Sequence, residues 1–266
     1  MMQVTDAEDP SPAEGGTPRS PNGLYRVGGA AALIAAVVFR RNWGAEFSLL
    51  RSLGIIHVGP TVAPGSAVEW LLLLQENRFV GLILLNLFDM VNYALVGLIF
   101  LALYAALRRG NEGAMAIAVA FGLIGVAVYF SSNQALTMLA LSQRYAAAAT
   151  EAQRSIVLAT GEALLAIDNP GATNPGTGST LSLPLATLSS LIISIVMLRS
   201  DVFSRVTAYV GLVGESFQLC HFIVVPLAPA LLALPTSLAA PFRLVWYVLI
   251  GRRLLHMASG APSQMR

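Results

Sequence analysis

The sequence contains no lysine; all 16 basic residues are arginine. A Schiff-base lysine, a phosphate-loop lysine and a lysine general base are therefore excluded. The simplest origin of such a bias is a GC-rich bacterial genome. Cysteine is nearly absent too, with Cys220 alone. No intrachain disulfide can form, and no cysteine-built zinc or iron–sulfur site. Charge is scarce: 11% of residues are Asp, Glu, Lys or Arg. Soluble domains carry about a quarter. The net charge of +2 points to no particular partner and gives no footing for nucleic acid.

Apolar residues take the place of the missing charge. The chain is 56% hydrophobic, with a mean hydropathy of +0.69. Its length allows about five to seven spans of about 20 residues, with no large soluble domain. These features predict an all-α integral membrane helix bundle of about six transmembrane helices, whose first partner is the lipid bilayer.

Residues 1–22 are rich in Pro, Gly, Ser and acids and read as a disordered cytoplasmic tail. They are too acidic for a signal peptide. Residues 23–258 form the membrane-embedded helical domain, and 259–266 a flexible C-terminal tail. The apolar run Val27–Phe39 covers only about 20 Å. It crosses if Arg26, Arg40 and Arg41 snorkel to the headgroups; otherwise it is a re-entrant or interfacial helix. Residues Ser66–Gln75 suggest a helix lying at the interface, anchored by Trp70. The second span, Phe79–Leu107, is longer than a bilayer requires and should tilt. The third starts near Ala114 and could run on to Leu141. Thr150 and Gln153 form a capping box opening an outside helix to about Leu165. A Pro/Gly-rich turn covers Asp168–Thr180. Further spans follow at Leu181–Leu198, Val206–Leu227 and Leu238–Ile250.

Arginines set the expected orientation. With six spans, Arg108, Arg109, Arg199, Arg205, Arg252 and Arg253 fall on one side, close to span ends. The positive-inside rule makes that side cytoplasmic and puts both termini there. Arg40 and Arg41 oppose this assignment.

Polar groups inside the apolar segments are the candidate site. Asn86, Asp89 and Asn92 are spaced i, i+3, i+6 and share one helix face. Glu215, Gln218 and His221 repeat that spacing in the fifth span. By helix rise, Asp89, Glu215 and Arg243 each lie about 13–15 Å from a span end, near the midplane. Ionisable groups at that depth face the bundle interior and pair or bind. Arg243 could neutralise Asp89 or Glu215 as structural glue, at about 0.6 kcal/mol per interhelical contact. Alternatively the same seven residues line a ligand or proton site. No cofactor is implied. A metal site is not expected, because His221 is the only histidine in place and no H-E-x-x-H pattern occurs. The turn Gly171–Thr180 has Thr177 where a phosphate loop needs lysine. Gly122, Gly125, Gly211 and Gly214 suit close helix packing. Glycine- and alanine-rich faces permit a homo-oligomer or a membrane partner.

Several short stretches carry a family likeness: Gly23-Leu-Tyr-Arg-Val-Gly-Gly29, Leu87-Phe-Asp-Met-Val-Asn-Tyr93, Val196-Met-Leu-Arg-Ser200, Tyr209-Val-Gly-Leu-Val213 and Trp246-Tyr-Val-Leu-Ile-Gly251. In these the chain resembles a bacterial family of multi-pass membrane proteins defined only by a domain of unknown function. The resemblance implies a six-helix protein of the bacterial inner membrane and no particular activity. No nucleophile motif suggests an enzyme. The functional expectation is a structural or interaction protein with a buried polar cluster. The alternative is a small-solute or proton-coupled transporter using Asp89, Glu215 and Arg243.

Overall fold

A computed structural model describes residues 22–42, 64–170, 176–227 and 233–260. Residues 1–21 of the predicted N-terminal tail and the last six residues of the C-terminal tail lie outside these ranges, whereas Asn22, assigned to that tail, opens the first helix. All regular structure among the described residues is α-helical, in ten helices. They are α1 (Asn22–Asn42), α2 (Ala67–Glu76), α3 (Arg78–Leu84), α4 (Leu87–Leu107) and α5 (Glu112–Ser132). Then come α6 (Ala135–Ala147), α7 (Glu151–Ile167), α8 (Thr177–Leu198), α9 (Arg205–Leu227) and α10 (Ala233–Ala258).

Among the described residues, four helical segments are long and apolar enough to cross a membrane: Asn22–Phe39, Leu87–Leu107, Glu112–Ala147 and Thr177–Leu198. The chain is thus an all-α protein of membrane character. The first segment is helical well beyond its apolar run, over 21 residues or about 31 Å, which removes the length objection.

Six helices form a closed ring. α1 packs between α4 and α10, α5 between α4 and α8, and α9 between α8 and α10. Small residues let the backbones approach. A Cβ on Gly125 would lie 2.9 Å from the Ser182 carbonyl oxygen, and one on Gly214 2.9 Å from the Phe242 Cβ. The expectation for these glycines is met. Phe100, Leu103, Ile193, Trp246 and Ile250 fill the ring's apolar half. At this end Tyr25 of α1 reaches the Ala105 carbonyl of α4, and Arg253 of α10 reaches the Val202 carbonyl. The ends bearing Arg26, Arg108, Arg109, Arg199, Arg205, Arg252 and Arg253 therefore gather together.

The other end carries a small helical cap made of α2, α3, α6 and α7, with Trp70, Leu71, Leu74, Leu85 and Met138 at its centre. Ser66 opens α2 with a capping box, and Thr150 opens α7 with the expected one. Trp70 corrects the expectation of an interfacial anchor. It is fully buried, because the apolar face of α2 turns onto α6 and α7 rather than outward.

The second predicted span does not tilt as one helix; it breaks. Asn86 takes a left-handed conformation, φ 61° and ψ 34°, which ends α3 and starts α4. Asparagine tolerates that region better than other side chains. The third span breaks at the same level, between Ser132 and Ala135. Asn133 clasps the two breaks by donating from Nδ2 to the Leu85 carbonyl at 3.2 Å, while its Oδ1 accepts from the Ala135 N–H at 3.1 Å. Continuity to Leu141 fails because Asn133 is better satisfied as a cross-link than as a helix interior residue. The predicted turn Asp168–Thr180 is also shorter than expected. α8 already begins at Thr177, while residues 171–175 lie outside the described ranges.

Candidate functional site

The break at Asn86 opens onto a cavity of about 230 Å³ lined by all six helices of the ring. Its wall is assembled from helices far apart in sequence. α4 supplies Asn86, Asp89, Asn92 and Tyr93; α9 supplies Gln218; α10 supplies Arg243 and Tyr247. Tyr129 of α5 and Ser179, Ser182 and Ser190 of α8 complete the polar lining. Five of the seven predicted residues thus share one wall.

The period of the helix explains the convergence. Asn86, Asp89, Asn92 and Tyr93 recur at three- and four-residue steps, so one face of α4 turns them all inward. Ser179, Ser182, Ala186 and Ser190 do the same on α8. This serine stripe was legible as a helical spacing, but the predicted turn hid its first member. Tyr93 and Tyr247 were missed because tyrosine inside a span reads as an ordinary apolar or interfacial side chain.

Glu215 and His221 are the two predicted residues that stand apart from the wall. Glu215 is only 2% exposed and lies behind Arg243. Arg243 donates to it twice, from Nε to Oε1 at 3.3 Å and from Nη2 to Oε2 at 2.8 Å. Its guanidinium carbon also sits 5.9 Å from the Phe39 ring centre, a cation–π distance. His221 lies off the cavity, edge-on to Phe222 at 5.5 Å. The three residues from Gln218 to His221 leave it about 60° around α9 from the face that carries Gln218. No group of three His, Cys, Asp or Glu side chains converges as a metal site would require, among the described residues.

Hydrogen bonding on the wall is loose. Tyr93 and Tyr129 stack with ring centres 3.9 Å apart, and their hydroxyls reach Ser182 Oγ and the Asn86 carbonyl at 3.5 Å each. Gln218 Nε2 and Asn92 Oδ1 are buried without a hydrogen-bond partner among the described residues. A buried amide in that state is expected to meet water or a ligand. At the rim, Asp168 is 1% exposed and accepts from the Ser179 hydroxyl at 2.7 Å. Burial pushes its carboxyl above the ordinary range, and the Ser179 hydrogen bonds oppose that shift in part. The site offers donors, acceptors and an internally paired ion pair.

No curated protein matches the chain, and no solved structure does. A family does: residues 47–256 match the one described as domain of unknown function (DUF4386). That range holds the cap, the ion pair and every residue lining the cavity except Phe39, and the chain belongs to this family.

Proposed function

We propose that this protein binds a small polar solute in the ring cavity, and that it works as a solute carrier rather than as an enzyme. The observation that supports this reading most is the pair of buried amide atoms, Nε2 of Gln218 and Oδ1 of Asn92, on two cavity-lining residues, that no group among the described residues satisfies. A purely structural polar cluster would close on itself. Helices broken beside a cavity are also a recurring way of building solute sites in membrane proteins.

The same proposal takes α9 and α10 as the fifth and sixth spans. They are 23 and 26 residues long and close the ring. It places the chain in the bacterial inner membrane with the arginine-bearing end and both termini in the cytoplasm, since basic residues near span ends favour that side. The cap then faces outward. Lipid is the surrounding partner, and the exposed faces of the ring leave room for a homo-oligomer or another membrane protein.

A structural role is the second reading, and the Glu215–Arg243 pair favours it. Its two-point geometry ties α9 to α10 regardless of any ligand.

Cysteine accessibility separates the two. Ser182→Cys, made in a Cys220→Ser background, puts a thiol on the cavity wall. Reaction with a small charged methanethiosulfonate reagent in liposomes, slowed by a bound solute, is the expected result. A thiol inert to the reagent from both sides would mean a sealed cavity and leave the structural role.

A further inference from the structure

The charges around the cavity are arranged so that each has a compensating group in the protein. Glu215 and Arg243 neutralise one another at 2.8 Å. Asp89 stands in the first turn of α4, where helix N–H groups present the positive end of the backbone dipole. Asp168 takes the hydroxyl of Ser179 at 2.7 Å, beside the start of α8. Among the described residues, the cavity-lining side chains with an unpartnered buried atom are uncharged. Gln218, 3% exposed, buries the donor Nε2, and Asn92, 8% exposed, buries the acceptor Oδ1, each without a hydrogen-bond partner among the described residues. They come from α9 and α4 and line the same space. The volume of about 230 Å³ suits a compact solute and not an acyl chain.

Resting on the binding role proposed above, we infer that the cavity selects an uncharged solute with both acceptor and donor groups, of the polyol or primary-amide kind. Such a molecule accepts from Gln218, donates to Asn92 and meets the hydroxyls of Tyr93 and Ser182. A charged or zwitterionic solute would bring a charge into a cavity whose own charges are already engaged, at a desolvation cost with no matching return.

The test is equilibrium binding to the full chain in nanodiscs. The uncharged probes are erythritol, urea and acetamide; the charged ones are acetate, choline and glycine. Saturable binding of at least one uncharged probe is expected, with none for the charged set. Gln218→Met keeps the side chain's length and removes the donor. It should weaken that binding at least tenfold while leaving the thermal midpoint equal to or above wild type, because the variant no longer buries an unpaired N–H. A merely structural glutamine would lower the midpoint instead. Saturable binding of a charged probe alone would overturn the solute class and leave the binding role standing. An uncharged probe that binds the variant as well as wild type would overturn the part given to Gln218. No saturable binding by any probe would overturn the binding role itself.

Discussion

Arg243 of α10 holds Glu215 of α9 through two hydrogen bonds, and the carboxylate is almost wholly shielded by the ring. Removing one partner strands the other charge in an apolar setting. Arg243→Met should therefore destabilise the protein by roughly 3–5 kcal/mol. The double variant Arg243→Met, Glu215→Met should recover much of that loss, since paired charges can be replaced by apolar groups at small cost. Thermal unfolding of the three variants in nanodiscs checks this. A double variant as unstable as the single one would show that the pair does more than neutralise itself.

Asn86 carries the break between α3 and α4 at φ 61°. Asn86→Gly should be tolerated within about 0.5 kcal/mol, because glycine enters the left-handed region freely. Asn86→Val should cost more than about 1–2 kcal/mol, since a branched side chain clashes there. Equal stability of the two variants would argue that the break relaxes into a continuous helix. Proteolysis of the cap in the Val variant would report the same change locally.

How much of this was legible beforehand follows from where the signals sit. Hydropathy and helical spacing mark α4, α8 and α9 and turn Asn86, Asp89, Asn92 and Gln218 onto inward faces. They also put Arg243 at the depth where it meets Glu215. The breaks were not legible, because Asn86 is a single polar residue in an apolar run, and the cross-link from Asn133 to the Leu85 carbonyl is tertiary. Trp70 was misplaced for a related reason. Its amphipathic helix looks interfacial until α6 and α7 fold over it. His221 follows the same i, i+3 step as Gln218, yet on α9 only Gln218 faces the cavity, and the step of about 60° on either side takes Glu215 and His221 off it.

Glycines in the ring differ in what surrounds them. A Cβ on Gly125 would crowd the Ser182 carbonyl at 2.9 Å and the Leu185 Cβ at 3.2 Å, whereas one on Gly113 meets nothing within 4 Å. Gly113→Ala should be neutral or stabilise by up to about 1 kcal/mol through helix propensity. Gly125→Ala should destabilise by about 1–3 kcal/mol despite the same propensity gain, since α5 and α8 must part. Chemical denaturation in mild detergent compares them. A stabilised Gly125→Ala would mean that these helices are not closely packed.

Asp168 gives the protein a pH response outside its spans. Its carboxyl is buried at the end of α7, which raises its affinity for a proton above that of the unfolded chain. The folded state therefore binds this proton more tightly. The resulting stability is complete below the ordinary value of 3.8 and is lost as pH rises through the higher folded value. Asp168→Asn retains an oxygen to accept from Ser179 and cannot ionise. Above the folded value it should unfold at a higher temperature than wild type, and below 3.8 the two should converge. Thermal midpoints taken from about pH 3 to pH 8 cover both the convergence and the window in which a raised carboxyl titrates. A wild-type advantage that grows with pH would reverse the sign and identify a carboxylate held ionised by the Ser179 donors.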